Sequence, residues 1–360
     1  MRRIEMWFCL VFVIALLSPA WTQAGCIEGD CVNGEGAIEY PDGSVYRGTF
    51  EDGRAAGRGT LEAPDGTRYT GGFRDNEAHG TGVMVQPDGT RYEGGFRNNV
   101  KHGQGTLTYA NGDTYTGEFR DDEINGQGTF TSADGSFIYR GEFVDGRAHG
   151  QGVVEMGDGA RYEGAFRNDR KHGRGTLTYP DGSFYTGGFV EGKRHGRGKL
   201  VFSNGSVYEG EFREDRISGQ GTFEGEGGVR YSGGFQEDRF HGQGSIVRTD
   251  GRKYTGGFRN GVEHGQGTIQ YPDGSVYEGE VAEGLRHGRG VYTFEDGAVY
   301  EGAFVEDRMT GEGRLTQPDG TEYIGGFKDG EFHGEGMLLH PDGRMEQGVF
   351  QGGVYVGPAS

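Results

Sequence analysis

Hydrophobic and polar positions alternate with a period of two along most of the chain. In one segment Tyr92, Gly94 and Phe96 alternate with arginine, glutamate and glycine. In the next segment, residues 103–109, two glycines, a leucine and a tyrosine hold every second position, with glutamine and threonines between them. Period two is that of a β-strand, so the pattern predicts strands with one apolar and one polar face.

The strand motif Tyr-x-Gly-x-Phe repeats along the chain, mostly at intervals of 23 residues, which indicates a repeat architecture. One interval has 24 residues, because Ser136-Phe137-Ile138 holds one residue more than its counterparts, and this predicts a bulge or a longer turn there. The thirteen repeats start at Tyr46, Tyr69, Tyr92, Tyr115, Tyr139, Tyr162, Tyr185, Tyr208, Tyr231, Tyr254, Tyr277, Tyr300 and Tyr323.

Each repeat has room for two strands and two turns. Asp-Gly and Asn-Gly pairs, as at Asp42-Gly43 and Asn111-Gly112, supply the positive φ angles that tight turns need. Glycines share the apolar face with the aromatic residues, so we expect neighbouring rings to lie over them and bury apolar area without a second layer. The predicted fold class is all-β, an elongated single-layer antiparallel sheet of tandem β-hairpins.

Residues 92–96 (Tyr-Glu-Gly-Gly-Phe), followed by residues 101–107 (Lys-His-Gly-Gln-Gly-Thr-Leu), resemble the MORN repeat. The resemblance extends over nearly all of residues 25–357. It implies a MORN-repeat ribbon, often dimeric, that serves as a protein scaffold and is sometimes credited with lipid binding.

Residues 1–24 have the three regions of a secretory signal peptide, with Arg2-Arg3, an apolar run at residues 6–17 and a small-residue end. We expect cleavage after Ala24, since the apolar run is well short of the roughly 20 residues that span a bilayer. The sequence therefore predicts a secreted or periplasmic protein.

The remaining chain divides into three parts. We expect residues 25–45 to form a degenerate N-terminal cap hairpin, residues 46–345 to form the thirteen tandem repeats, and residues 346–360 to form a truncated last repeat and C-terminal cap. The exposed last strand could pair with a second copy of the chain, so a homodimer is possible.

Cys26 and Cys31 are the two cysteines that follow the predicted signal peptide, and they flank the turn of the cap hairpin. In an exported chain this arrangement predicts a disulfide that staples the first hairpin. The alternative is a lipid-anchored envelope protein modified at Cys26, because residues 24–26 partly resemble a bacterial lipobox.

Charge makes nucleic acid an unexpected partner. The whole chain carries a formal charge of −19. Without residues 1–24 it has 34 basic and 54 acidic residues, or 34 − 54 = −20, which repels phosphate backbones.

Candidate chemistry is sparse, and the sequence predicts no catalytic residues, no cofactor and no metal site. Nine of the ten histidines, including His102, recur at one repeat position. Equivalent residues of successive hairpins lie roughly 10 Å apart, too far to share a metal that binds nitrogen at about 2.1 Å. We therefore predict a protein that is not an enzyme.

The aromatic residues of the motif form a stripe that is either packed on itself over glycine or partly exposed. An exposed stripe could bind another protein, a second copy or a glycan. The leading hypothesis is a structural scaffold that mediates protein–protein interaction, and the alternative is a module for membrane lipid or cell-envelope glycan. The possible partner-binding stripe comprises Tyr92, Phe96, Tyr115, Phe119, Tyr162, Phe166, Tyr185 and Phe189.

Overall fold

A computed structural model describes residues 25–358. The predicted signal peptide, residues 1–24, lies outside the described residues. The described part of the chain divides between residues 193 and 194 into a first and a second compact unit. Both units are all-β in their described parts, which confirms the predicted fold class.

The first unit consists of successive strands joined by short turns. They are β1 (Gly25–Gly29), β2 (Glu35–Glu39), β3 (Val45–Glu51), β4 (Arg54–Glu62), β5 (Arg68–Arg74), β6 (Glu77–Val85), β7 (Arg91–Arg97), β8 (Val100–Thr108), β9 (Thr114–Arg120), β10 (Glu123–Thr131), β11 (Phe137–Val144), β12 (Arg147–Met156), β13 (Arg161–Arg167), β14 (Arg170–Thr178) and β15 (Phe184–Val190).

The second unit repeats the same plan, with one short 3-10 turn at Glu226–Gly228. Its strands are β16 (Lys193–Val201), β17 (Val207–Arg213), β18 (Arg216–Glu224), β19 (Arg230–Gln236), β20 (Arg239–Val247), β21 (Lys253–Arg259), β22 (Val262–Gln270), β23 (Val276–Ala282), β24 (Leu285–Thr293), β25 (Val299–Val305), β26 (Arg308–Thr316), β27 (Glu322–Lys328), β28 (Glu331–Leu339), β29 (Met345–Gln351) and β30 (Val354–Gly357).

Within each unit, every strand pairs antiparallel with its neighbours in sequence. In β7 and β8, for example, Tyr92 lies opposite Leu107 and Gly94 opposite Gly105. The extra residue of the 24-residue interval lies in the connection before β11, where the Ser132 amide donates to the carbonyl of Phe137. The expected longer turn is therefore present.

The two faces of each sheet differ in character. The aromatic face, which we define as the side that carries the Tyr and Phe of the motif, holds the buried side chains. The polar face, on the opposite side, carries mainly threonine, glutamate, glutamine and arginine, as at Thr106 and Gln104. Each unit thus buries its core between the side chains and the backbone of a single sheet.

Within residues 25–358, no helix has the length and apolar character that crossing a membrane requires.

Candidate interaction faces

Each motif tyrosine lies flat against the backbone of two glycines. A Cβ built on Gly105 would lie 2.5 Å from the Cε2 ring carbon of Tyr92, and one on Gly94 would lie 2.5 Å from its hydroxyl oxygen. The Tyr92 hydroxyl donates to the carbonyl of Gly95 at 2.9 Å, which fixes the ring in place. This confirms the expectation that rings lie over strand glycines.

The rings also pack edge-to-face in a continuous series within each unit. The Tyr92 ring centre lies 5.1 Å from that of Phe96 in the same strand and 4.9 Å from that of Phe119 in the next repeat. Such contacts contribute roughly 0.5–1.5 kcal/mol each beyond area burial. One ring thus joins two hairpins, which explains why the sheet needs no second layer.

The predicted partner stripe does not lie on the surface. Its eight members, Tyr92, Phe96, Tyr115, Phe119, Tyr162, Phe166, Tyr185 and Phe189, are only 0 to 5 % exposed. Rings folded over glycine and covered by the next phenylalanine cannot present their faces to a partner. These rings are packed on one another over glycine, which is the self-packed alternative.

A position missed in the sequence analysis faces the motif phenylalanines. Phe96 lies opposite Lys101, because His102, Gly103 and Gln104 together lie opposite the single residue Gly95. Toward β7, Gly103, with a φ of 75°, belongs to a bulge that the alternation did not predict. Toward β9 the alternation is kept, because Gly103 lies opposite Phe119.

The residue at the Lys101 position differs between repeats, unlike the tyrosine and glycines. Successive repeats carry Ala55, Ala78, Lys101, Ile124, Ala148, Lys171, Arg194, Ile217, Phe240, Glu263, Arg286, Met309 and Phe332. The backbone and the motif residues are nearly constant between repeats, whereas this one position of the aromatic face carries apolar, basic or acidic side chains.

Two-residue turns join β7 to β8 and equivalent strands. The sequence predicts two turns in each repeat, but the residues of this one were not identified. Asn98 and Asn99 have φ angles of 52° and 69°, so both central residues are left-handed, as in a type I′ turn. The Asn99 amide donates to the carbonyl of Ala78 at 3.0 Å, and the Asn99 side-chain oxygen accepts from the Ala78 amide at 2.8 Å. The turn is thereby tied to the preceding repeat.

The aromatic face also carries partly exposed rings, opposite the buried tyrosines or just beyond them, whereas more exposed large apolar side chains, such as Val190 and Val305, lie elsewhere. The partly exposed rings lie at or just after the ends of the second strands, at the positions of Leu107 and Tyr109. We call them the outer row: Tyr109, Phe130 and Tyr179 in the first unit, and Phe202, Phe223, Tyr271, Tyr292 and Phe294 in the second.

A buried carboxylate lies beneath the outer row of the second unit. Glu263 is fully buried, and its Oε1 accepts from Arg248 Nη2 at 2.8 Å and from Arg252 Nη1 at 3.1 Å. Arg252 also donates to the carbonyl of Gly284 at 3.2 Å. The carboxylate thus takes the place of an apolar side chain at the variable position and links three repeats.

The polar face of the first unit has a depression of about 600 Å³. Amides and charged groups line it, including Gln104, Gln127, Gln151, Glu118 and Arg140. In the described part of the chain, no group of three or more His, Cys, Asp or Glu side chains is placed to hold a metal ion. The recurring histidines are not gathered into any such cluster.

The N-terminal hairpin carries the cysteine pair. The Sγ atoms of Cys26 and Cys31 are 2.13 Å apart, the separation of a disulfide, and the bond ties β1 to the turn that follows it. The N-terminal hairpin is also joined to the first repeat, because the Gly53 amide donates to the carbonyl of Val32 at 2.9 Å.

Comparison with solved structures gives only distant likenesses. The TCP10 domain of Danio rerio CPAP, in complex with a peptide of Danio rerio STIL, is 17% identical with a TM-score of 0.29, covering 75% of this chain and 98% of that chain. The TCP domain of Drosophila melanogaster SAS-4, with a proline-rich motif of Ana2, is 14% identical with a TM-score of 0.22, covering 49% and 85%. These scores are too low to bear on function.

A virginiamycin B lyase from Staphylococcus aureus is 10% identical with a TM-score of 0.13, covering 85% of this chain and 96% of that chain. No curated protein sequence matches the chain.

The MORN-repeat family model, by contrast, matches most of the chain in thirteen tandem segments that begin at the predicted tyrosines. The segments are residues 46–68, 69–91, 92–114, 115–137, 139–161, 162–184, 185–207, 208–230, 231–251, 254–276, 277–299, 300–322 and 323–343. Residue 138, the inserted position, falls between two matches. The chain therefore belongs to the MORN-repeat family.

Proposed function

We propose that this protein is a non-catalytic scaffold that binds other proteins through the outer row of its aromatic face. The observation that carries the proposal is that the outer-row rings stay partly exposed, although the motif tyrosines and phenylalanines of the same face are buried. Phe202 and Phe223 have ring centres 6.4 Å apart, and Phe223 and Phe240 have theirs 6.2 Å apart. A row of partly exposed aromatic side chains favours protein contact.

The repeat plan supports the same conclusion. The buried tyrosines and glycines fix the backbone, whereas the partly exposed outer row varies from repeat to repeat. A rigid surface with varied side chains provides specificity at low entropic cost. No described cluster of side chains departs from the repeat in a way that suggests catalysis.

The experiment compares capture of interacting proteins by immobilised wild-type chain and two variants of adjacent residues. Phe223 lies on the aromatic face and Thr222 on the polar face of the same strand. We expect Phe223→Lys to lose the proteins that wild type retains, and Thr222→Lys to retain them. Equal capture by the two variants would contradict the proposed face.

Export and the N-terminal cap form part of this proposal. A disulfide pair fits an oxidising compartment, and we propose a secreted or periplasmic protein from which residues 1–24 are removed as a signal peptide. The intact mass of the exported chain tests this, with a start at Gly25 and two hydrogens missing as the expected result. A lipid on Cys26 would instead identify an anchored envelope protein.

A second candidate function is binding of a cell-envelope glycan or membrane lipid. The depression lined by Gln104, Gln127 and Gln151 favours a glycan, because amides and carboxylates can hydrogen-bond sugar hydroxyls. Co-sedimentation with insoluble envelope polysaccharide and with anionic vesicles tests it. Loss of glycan binding in Gln127→Ala, with protein capture unchanged, would favour this second function.

A further inference from the structure

The outer row of the second unit contains a box of aromatic rings around one guanidinium group. The Arg286 Cζ lies 4.6 Å from the ring centre of Tyr292, 5.3 Å from that of Phe304 and 6.0 Å from that of Tyr271. The Tyr271 and Tyr292 rings stand nearly perpendicular, with centres 6.1 Å apart. These rings leave 17 % of the Arg286 side chain exposed.

Asp307, in the turn between β25 and β26, holds the guanidinium of Arg286. Arg286 Nε lies 3.1 Å from Asp307 Oδ1, and Arg286 Nη2 donates to the Asp307 carbonyl at 2.8 Å. Nη1, the remaining amino group of the planar guanidinium fork of Arg286, makes no hydrogen bond to any residue within 25–358. The guanidinium is thus already oriented, so a ligand would not have to order it.

Three arginines and two carboxylates form the ion pairs around this box. Arg248 and Arg252 pair with Glu263, and Arg286 pairs with Asp307, so these pairs hold one more positive than negative charge, 3 − 2 = +1. The segment that carries the box, residues 271–310, is acidic as a whole. The whole chain carries −19. The buried Glu263 is held between two arginines, so it does not oppose an anion at the surface.

Lys101 occupies the position in its own repeat that Arg286 occupies in the second unit, and the two side chains can be compared. Lys101 also lies opposite a motif phenylalanine and pairs with an aspartate of the next turn, Asp122, at 3.4 Å. The Lys101 side chain is 8 % exposed and is a point charge without a fork.

Arg194, at the same position of the repeat at residues 185–207, pairs with Asp215 in the same way as Arg286 pairs with Asp307, and its side chain is also 17 % exposed. The feature that distinguishes Arg286 is the pair of tyrosine rings around its guanidinium.

We propose that Arg286, within the box of Tyr271 and Tyr292, binds the carboxylate of an acidic side chain in a protein segment that lies along the outer row. This inference rests on the proposed scaffold function and gives the chemistry of its partner. The carboxylate accepts from the Nη1 edge of the fork while neighbouring apolar atoms contact the tyrosine rings. A cationic ligand is disfavoured because the guanidinium already fills the box.

The test uses two labelled peptides of about twelve residues, long enough to span roughly four repeats when extended. One repeats Leu-Glu-Ser, and the other has glutamine in place of each glutamate. Fluorescence anisotropy with the full chain should show the glutamate peptide bound about tenfold more tightly, as expected for a charge-assisted hydrogen bond.

Three variants assign that preference to one residue. Arg286→Gln should bind both peptides equally, and so should Arg286→Lys, which keeps a charge beside Asp307 as Lys101 does beside Asp122. The matched control is Arg308→Gln, in the next repeat, because Arg308 is 67 % exposed and forms a surface ion pair with Asp329. Arg308→Gln should keep the preference, and circular dichroism should show all three variants folded.

The inference is overturned if wild type binds both peptides equally, if it binds neither, or if the preference survives Arg286→Gln. Its failure is distinguishable from failure of the scaffold proposal. If both peptides bind equally and Phe223→Lys weakens both, the outer row still binds protein and only the anion site is wrong.

Discussion

The ring of Tyr92 and the Cα of Gly105 are packed so closely that no side chain fits between them. A Cβ on Gly105 would lie 2.5 Å from the ring, which is shorter than non-bonded carbon–carbon contacts in proteins. The tyrosine thus takes the role that a second layer of structure plays in other sheets.

The first prediction follows from this contact. Gly105→Val should displace the Tyr92 ring and lower the free energy of unfolding by about 1–3 kcal/mol, the usual cost of overpacking. Thr106→Val, on the polar face, should change it by about 0.5 kcal/mol or less. Thermal unfolding of both variants provides the measurement, and equal losses would contradict the assigned faces.

The second prediction concerns the tie between the turn at Asn99 and the preceding repeat. Asn99→Gly keeps the positive φ but removes the side-chain acceptor of the Ala78 amide, and should cost about 1 kcal/mol. Hydrogen exchange at Ala78 should accelerate. Asn98→Gly, at the other left-handed position of the turn, is the control and should leave that amide protected.

The third prediction concerns alkaline pH. Burial raises the pKa of Tyr254 and Tyr300 to about 12, against 10.0 for a free tyrosine. The folded protein therefore holds these protons more tightly than the unfolded chain does, so stability is fully present below pH 10 and falls as pH rises toward 12. A titration that follows tyrosinate absorbance and circular dichroism together should show ionisation accompanied by unfolding. Ionisation of these tyrosines near pH 10 in a folded chain would contradict their burial.

The fourth prediction tests the buried carboxylate. Glu263→Gln removes the charge that pairs with Arg248 and Arg252 and should lower the free energy of unfolding by about 3 kcal/mol, because breaking a buried ion pair leaves an uncompensated charge. Urea unfolding gives the value. Glu278→Gln, an exposed change one repeat later, should have almost no effect.

The sequence was sufficient to predict the repeat, its starting tyrosines, the strand faces around Tyr92 and the closeness of Cys26 to Cys31. These features depend on local periodicity and on short sequence separations. It could not predict the bulge beside Gly103, because a bulged strand and a regular one can have the same sequence pattern and differ only in how they pair with the neighbouring strand. The variable position at Lys101 and its pairing with Asp122 were also missed, because the repeat motif was defined by its constant residues.

Exposure was the other feature that the sequence could not settle. Tyr92 and Phe130 are both aromatic residues on the same face, yet only Phe130 remains half-exposed. The difference arises because Tyr92 has two glycines beneath its ring and a phenylalanine from each of two repeats around it. These contacts depend on the neighbouring strands. The predicted partner stripe took only the Tyr and Phe of the repeat motif, and these are the buried rings.

The most direct test of the central claim is site-specific photo-crosslinking in the protein's native host. A photoreactive residue is placed at Phe223 on the aromatic face, or at its neighbour Thr222 on the polar face. The account predicts a discrete crosslinked protein from the Phe223 position that disappears with an added Tyr292→Lys substitution and is absent from the Thr222 position. Crosslinks from Thr222 alone would contradict it and would assign binding to the polar face.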